Sequence, residues 1–386
     1  MNPPNLFCTV PEALGELQGR RVLIVVDGEN ENSEASLVAA TDGASLDTLR
    51  FMQSNAGGLM CSAHSPYGFQ SIKMPKALLE GFSIGASFGN EQSKDTCSRE
   101  LKTGASKVKP CGSPSGMRHP LVPLCSRKNG VLSRPGHAEA IVDLARLAAL
   151  SPSGFLCKIL RHGDRPLCCL SSLAKFGHAH GLRMLSVTEL VKHRMASETH
   201  VRPAAVIHLR TRYGGFRFIN FTSDVLECCG ALVKGGDEIF ELSAPLVRIE
   251  PVSSIGDACT SLLTYLNDSF DAALNLMYHK GNGIVVCVPT PQLANDEDRF
   301  LSASLPFFQD DPFLTLGDSA HHRLMSAGIC AQILHHLHAD QICVISDKPQ
   351  RLADLNVFGI KFVETLSPSR KTKLGQCKRQ TETVIS

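Results

Sequence analysis

Residues 130–160 read GVLSRPGHAEAIVDLARLAALSPSGFLCKIL. Ile141, Leu144, Ala145 and Ala148 recur at i, i+3, i+4 and i+7, so the spacing predicts an amphipathic helix over 138–150. Ser and Pro break that pattern, and GFLCKIL (154–160) follows as a strand-length apolar run. Arg134, Gly136 and His137 stand on a Gly/Pro turn at the mouth of the helix. Two readings of this turn stay open. A guanidinium and an imidazole there can serve a metal and a phosphate. Alternatively, the turn is structural and persists because it starts a packed helix.

Similar reasoning extends to both sides. Residues 7–18 read as a short helix, and RRVLIVVDG (20–28) as a buried strand. SLDTLRFMQSNAGG (45–58) has helical spacing and a glycine stop, and GLMCSA (58–63) is strand-like. The polar stretch 88–120, rich in Gly, Ser and Lys, reads as a long loop. A helix near 169–180 and TELVKHR (188–194) close a first domain over 1–196. Residues 197–204 read as a linker and 205–366 as a second domain. That domain opens with strands at 207–221, 229–235 and 245–252, after which helices and strands alternate. The expected fold class is therefore two-domain α+β and α/β, a mixed α/β first domain and an α/β second domain with a mixed sheet. The polar, basic end, 367–386, has no periodicity and reads as a disordered tail.

At 386 residues, each half is long enough to bury a core. A net charge of +2 gives no electrostatic case for nucleic acid. The longest apolar runs, such as VLIVV, are too short to span a bilayer, so no membrane partner is expected. The opening MNPPNLFCTVPEALGEL lacks a basic segment followed by an apolar run, so no signal peptide and a cytoplasmic setting are expected. With that expectation, the 15 scattered cysteines read as reduced thiols rather than a disulfide framework.

Two clusters of polar residues invite chemistry. VDGENENSEAS (26–36) follows the first strand and holds Asp27, Glu29, Glu31 and Glu34, which fit either a site or a solvated acidic loop. His321, His322, His335, His336 and His338 surround one predicted helix, as a metal site or as a wet helix face. Neighbouring His335 and His336 point to different faces, so only part of the set can converge.

The order and wording of these segments resemble the bacterial bifunctional riboflavin-synthesis family over roughly residues 7–366. In that family a 3,4-dihydroxy-2-butanone 4-phosphate synthase domain, a lyase, is fused to a GTP cyclohydrolase II domain. GVLSRPGHAEAIVDLARLAAL (130–150) is similar to the family pattern GVL-x-R-x-GHTEA-x-VDLA-x-LAG, and GICAQIL (328–334) to GIGAQIL. LNVFGIKFVETL (355–366) is similar to the segment after it. The resemblance implies a first reaction that converts ribulose 5-phosphate to the butanone phosphate and formate. There Mg²⁺ stabilises an enediolate and carboxylates move protons. It also implies a cyclohydrolase zinc held by three cysteine thiolates.

On that resemblance, Glu34, Arg134 and His137 fall on residual catalytic positions. Glu29, Thr103, Arg134, Gly136 and Ala138 fall on substrate-binding positions, with His137 also the residual magnesium ligand. The departures are concentrated on charged positions. Glu31 replaces an Arg, Asn32 the metal-binding Glu, Ser36 an Asp, Ala138 a Thr and Lys158 a proton-transfer Glu. The three zinc cysteines fall at Ser253, Thr264 and Leu266, with Cys259 nearby but off register. Zinc is therefore expected to be absent and Mg²⁺ weak or absent. Two functions follow. One is a pseudoenzyme with a structural or regulatory role beside an active pathway paralogue. The other is a weakly active butanone-phosphate synthase. The resemblance also implies a homodimer through the first domain. Because Lys158 and Glu31 reverse the local charge together, the Lys158 ammonium is expected within about 4 Å of Glu29, Glu31 or Glu34.

Overall fold

The computed structural model describes residues 6–28, 33–69, 82–84, 119–160, 170–226, 229–236, 244–252, 268–289 and 320–367. The chain divides into two compact units, 1–193 and 194–386.

The first unit runs α1 (Val10–Gln18), β1 (Leu23–Val26), β2 (Ala35–Ala40), α2 (Leu46–Ala56), β3 (Gly57–His64), β4 (Phe82–Ile84) and β5 (His119–Cys125). It continues with α3 (His137–Leu147), β6 (Ser153–Ile159), α4 (Leu170–His180), β7 (Met184–Ser186) and α5 (Val187–Ser197), the last crossing the division. Its sheet has the order β4-β5-β3-β6-β2-β1-β7, with antiparallel β1–β2, β2–β6 and β3–β6 pairs and parallel pairs toward both edges. Every residue of β1 and β2 is buried, as expected of strands covered on both faces. One face carries Leu37, Phe155 and Cys157 into a core with Leu49 and Met52 of α2 and Leu173 of α4. α3 covers the other face: its residues from Ala138 to Ala145 are all buried. There Gly154 leaves room for Ile141, whose Cγ1 would stand 2.2 Å from a Cβ at that glycine.

The second unit contains β8 (Val201–Thr211), β9 (Gly214–Ser223), β10 (Cys229–Lys234), β11 (Leu246–Val252), α6 (Asp268–Lys280) and β12 (Gly283–Pro289). α7 (Ala320–His336), β13 (Gln341–Ile345) and β14 (Lys361–Leu366) complete it. Its sheet order is β14-β13-β11-β12-β10-β9-β8, antiparallel from β8 through β12 and parallel beyond. Phe270, Leu274 and Met277 of α6 pack on Phe218, Leu232 and Val285. No helix among the described residues is long and apolar enough to cross a membrane.

The expected linker needs correction. α5 reaches Ser197 and β8 begins at Val201, so residues 201–204 are strand. β8 is an edge strand exposed along most of its length, with Val206 and Ile207 at 54% and 50% exposure. A strand without a buried face carries no apolar alternation, so its sequence reads as loop. Nearly all of the predicted 88–120 loop, and residues 368–386 of the predicted tail, lie outside the described residues.

Candidate functional site

The charged end of the β1–β2 hairpin lies beneath the start of α3. Asp27 and Glu34 close the hairpin: the Asp27 N–H donates to the Glu34 carbonyl at 3.1 Å, and the Glu34 N–H to Asp27 Oδ1 at 2.8 Å. Alternation then sets Glu34 and Ser36 on one face of β2. Lys158 of β6 is the cross-strand partner of Ser36, so it shares that face. Its ammonium reaches Glu34 Oε2 at 2.6 Å, within the range expected from the charge reversal.

His137, the first residue of α3, stands over the same face. Its Nδ1 and the buried Ser36 hydroxyl share a 2.8 Å hydrogen bond, while Nε2 is buried with no partner among the described residues. Burial lowers its pKa to about 4, against the opposing pull of the Glu34 charge, so the ring is neutral at pH 7. Burial also raises the Asp27 carboxyl above its ordinary value. Both groups have given up water without a fully compensating partner.

Arg134 belongs to a separate arrangement. Its Nη2 and Nε meet Glu139 Oε1 at 2.6 and 2.9 Å, and the Arg127 N–H joins them at 3.1 Å. Glu139 is fully buried at the third position of α3, where a carboxylate suits the helix dipole. Gly136 precedes the helix, and a Cβ there would meet Glu139 Oε2 at 2.5 Å. One turn on, Asp143 Oδ2 accepts from the Val131 N–H at 2.8 Å. Gly130 has φ +59° and would push a Cβ to within 2.1 Å of that carboxylate. Ala138 is buried in the same turn.

The structure thus joins Glu34, Ser36, His137 and Lys158 in one cluster and Arg134, Gly136 and Glu139 in another. Glu139 and Asp143 were not singled out from sequence. The available signal is two acids spaced i, i+4 on a helix stretch otherwise built of Ala, Ile, Val and Leu. Glu29, Glu31, Asn32, Thr103, Ser253, Cys259, Thr264 and Leu266 lie outside the described residues.

These donors do not fit a resident Mg²⁺. Magnesium requires six oxygens at short, regular distances. Here the Glu34 carboxylate is engaged by an ammonium, the Ser36 hydroxyl by the imidazole, and the free imidazole nitrogen is a poor match for a hard cation. Near a protein surface, two unit charges about 4 Å apart repel by about 4 kcal/mol, and a dication beside Lys158 doubles that. Among the described residues, no three His, Cys, Asp or Glu side chains are grouped to hold a metal. On α7, His335 bonds Asp340 at 2.6 Å and the Phe358 carbonyl at 2.8 Å, and His336 stacks edge-on against Phe221.

Known proteins match along nearly the whole chain. Residues 11–193 fit the family model of 3,4-dihydroxy-2-butanone 4-phosphate synthase, and residues 202–367 that of GTP cyclohydrolase II. A riboflavin biosynthesis protein RibBA from Staphylococcus haemolyticus is 28% identical over 370 residues, covering 93% of each chain. Its Aquifex aeolicus counterpart is 28% identical over 377 residues, covering 93% of this chain and 91% of the relative. Among solved structures, RibBX of A. baumannii, described as a two-domain 3,4-dihydroxy-2-butanone 4-phosphate synthase, superposes with a TM-score of 0.62 at 25% identity. That match covers 93% of this chain and 99% of RibBX.

Proposed function

The chain belongs to the riboflavin-biosynthesis family that joins a 3,4-dihydroxy-2-butanone 4-phosphate synthase domain to a GTP cyclohydrolase II domain, and from that premise we propose that it has lost catalysis in both domains and serves the pathway as a structural or regulatory partner. The observation that carries this reading is the 2.6 Å ion pair between Lys158 and Glu34 beneath His137. The family reaction needs a positive centre that can polarise the sugar oxygens and carboxylates free to take up and return protons. Lys158 spends its charge on Glu34. Ser36 offers a hydroxyl where the family has an acid, and it is bonded to His137. His137 is held neutral, and Arg134 is committed to Glu139. In the second domain, Ser253, Thr264 and Leu266 offer two hydroxyls and an alkyl group where zinc needs thiolates. Losing groups that act in the transition state costs orders of magnitude in rate.

A second reading keeps weak synthase activity in the first domain on Glu29, Glu34, Arg134 and His137. The description of RibBX as a two-domain synthase favours it, because that chain pairs this activity with a second domain. Formate release from ribulose 5-phosphate and Mg²⁺ separates the two readings. The family likeness further supports a cytoplasmic homodimer joined through the first domain.

A further inference from the structure

We propose that Lys158 is a tethered cation occupying the place of a divalent metal between the β1–β2 hairpin and His137, so that the first unit needs and binds no Mg²⁺. The inference rests on the loss-of-catalysis reading for its choice of cleft and goes beyond it in naming what fills the cleft.

Two observations converge. First, Lys158 is fixed by register: its Cα pairs with Ser36, whose hydroxyl bonds the first residue of α3. The side chain therefore emerges on the face that α3 covers. Second, the hairpin end concentrates negative charge. Asp27 is bonded through Oδ1 to the Glu34 N–H, and the Glu34 carboxylate stands two residues from Ser36. Lys158 bonds the second carboxylate directly and lies close enough to Asp27 to favour its ionised form.

The bland alternative is a surface ion pair of no consequence. With side-chain exposures of 35% and 58%, Lys158 and Glu34 do little for stability by pairing. Occupancy is a different matter. A magnesium ion binds carboxylate oxygen at about 2.1 Å, which cannot be shared with an ammonium already in contact with that oxygen. An ammonium supplies positive charge and three hydrogen bonds, but no open coordination positions. It can keep the acidic hairpin folded without polarising a substrate.

The test is Mn²⁺ titration of the full chain, followed by loss of the free Mn²⁺ paramagnetic resonance signal. The wild type, Lys158→Gln and Lys158→Glu are compared, with thermal melts to verify folding. The wild type should take up no Mn²⁺ at the cleft below about 1 mM, the weak end of protein sites for hard cations. Lys158→Glu should bind one Mn²⁺ at least about tenfold more tightly than wild type, with Lys158→Gln between them. Folded variants that gain no Mn²⁺ would overturn the assignment. So would a wild type that binds one Mn²⁺ below that concentration and loses it in Glu34→Gln, a result that needs no Lys158 variant to fold. Formate release by a wild type that takes up no Mn²⁺ would contradict the loss of catalysis while upholding Lys158 as the cation, so the two ideas fail separately.

Discussion

Glu139 Oε1 accepts hydrogen bonds from Arg134 Nε at 2.9 Å and Nη2 at 2.6 Å, and from the Arg127 N–H at 3.1 Å. One buried oxygen therefore ties the turn before α3 to the helix itself. Gly130 and Gly136 leave room beside it for the Asp143 and Glu139 carboxylates. Removing the carboxylate should be costly, because it leaves a partly buried guanidinium and a backbone N–H unpaired. Glu139→Ala should lower unfolding stability by about 3 kcal/mol. Urea denaturation measures this, and a loss below about 0.5 kcal/mol, the level of an ordinary surface change, would contradict it.

Stability should fall on mild acidification. Burial holds His137 at a pKa of about 4 and also lowers that of His64, so both rings are neutral in the fold. The unfolded chain takes up these protons near pH 6.5. The contribution is thus full above about pH 6.5 and is lost as pH falls toward the folded values, for His137 down to about 4. For His137 it amounts to about 3 kcal/mol at most. Asp27, raised by burial, works in the opposite direction at the acid end. Urea midpoints between pH 7 and pH 5 should shift less in His137→Gln than in the wild type; equal slopes would refute the assignment.

On the family resemblance Ser253, Thr264 and Leu266 fall on the thiolate positions, so the second domain should carry no catalytic zinc. Elemental analysis of purified protein should find well under one zinc per chain. One zinc per chain that disappears in Cys259→Ser would show that an off-register cysteine has rebuilt the site.

The chain should be a homodimer through its first domain. Sedimentation at micromolar concentration should return twice the chain mass of 41.7 kDa. A monomer mass would count against the reading.

Much of this architecture is visible in the sequence because strong periodicity survives drift. The helix expected over 138–150 is observed at His137–Leu147, and the strand at 154–160 is Ser153–Ile159. β2 was hidden because its first two residues sit inside the acidic stretch, and because small residues such as Ala35, Ser36, Ala39 and Ala40 carry little strand signal even when all are buried. β8 was divided between linker and strand because an exposed edge has no buried face to mark it. At the site, an acid partner for Lys158 was legible from the charge change at that position; the partner found, Glu34, is a retained acid, while Glu31 lies outside the described residues. The Ser36–His137 bond was not legible, since Ser36 reads as a lost acid until β2 and α3 are seen to cross.

The most direct measurement is formate release when the purified full chain is incubated with ribulose 5-phosphate and Mg²⁺. An ion-paired Lys158, a hydroxyl-bonded neutral His137 and an Arg134 committed to Glu139 predict no formate above the protein-free control. Formate that accumulates in proportion to protein concentration, and that is abolished in Glu34→Gln, would contradict the loss of catalysis and establish the first domain as a working synthase.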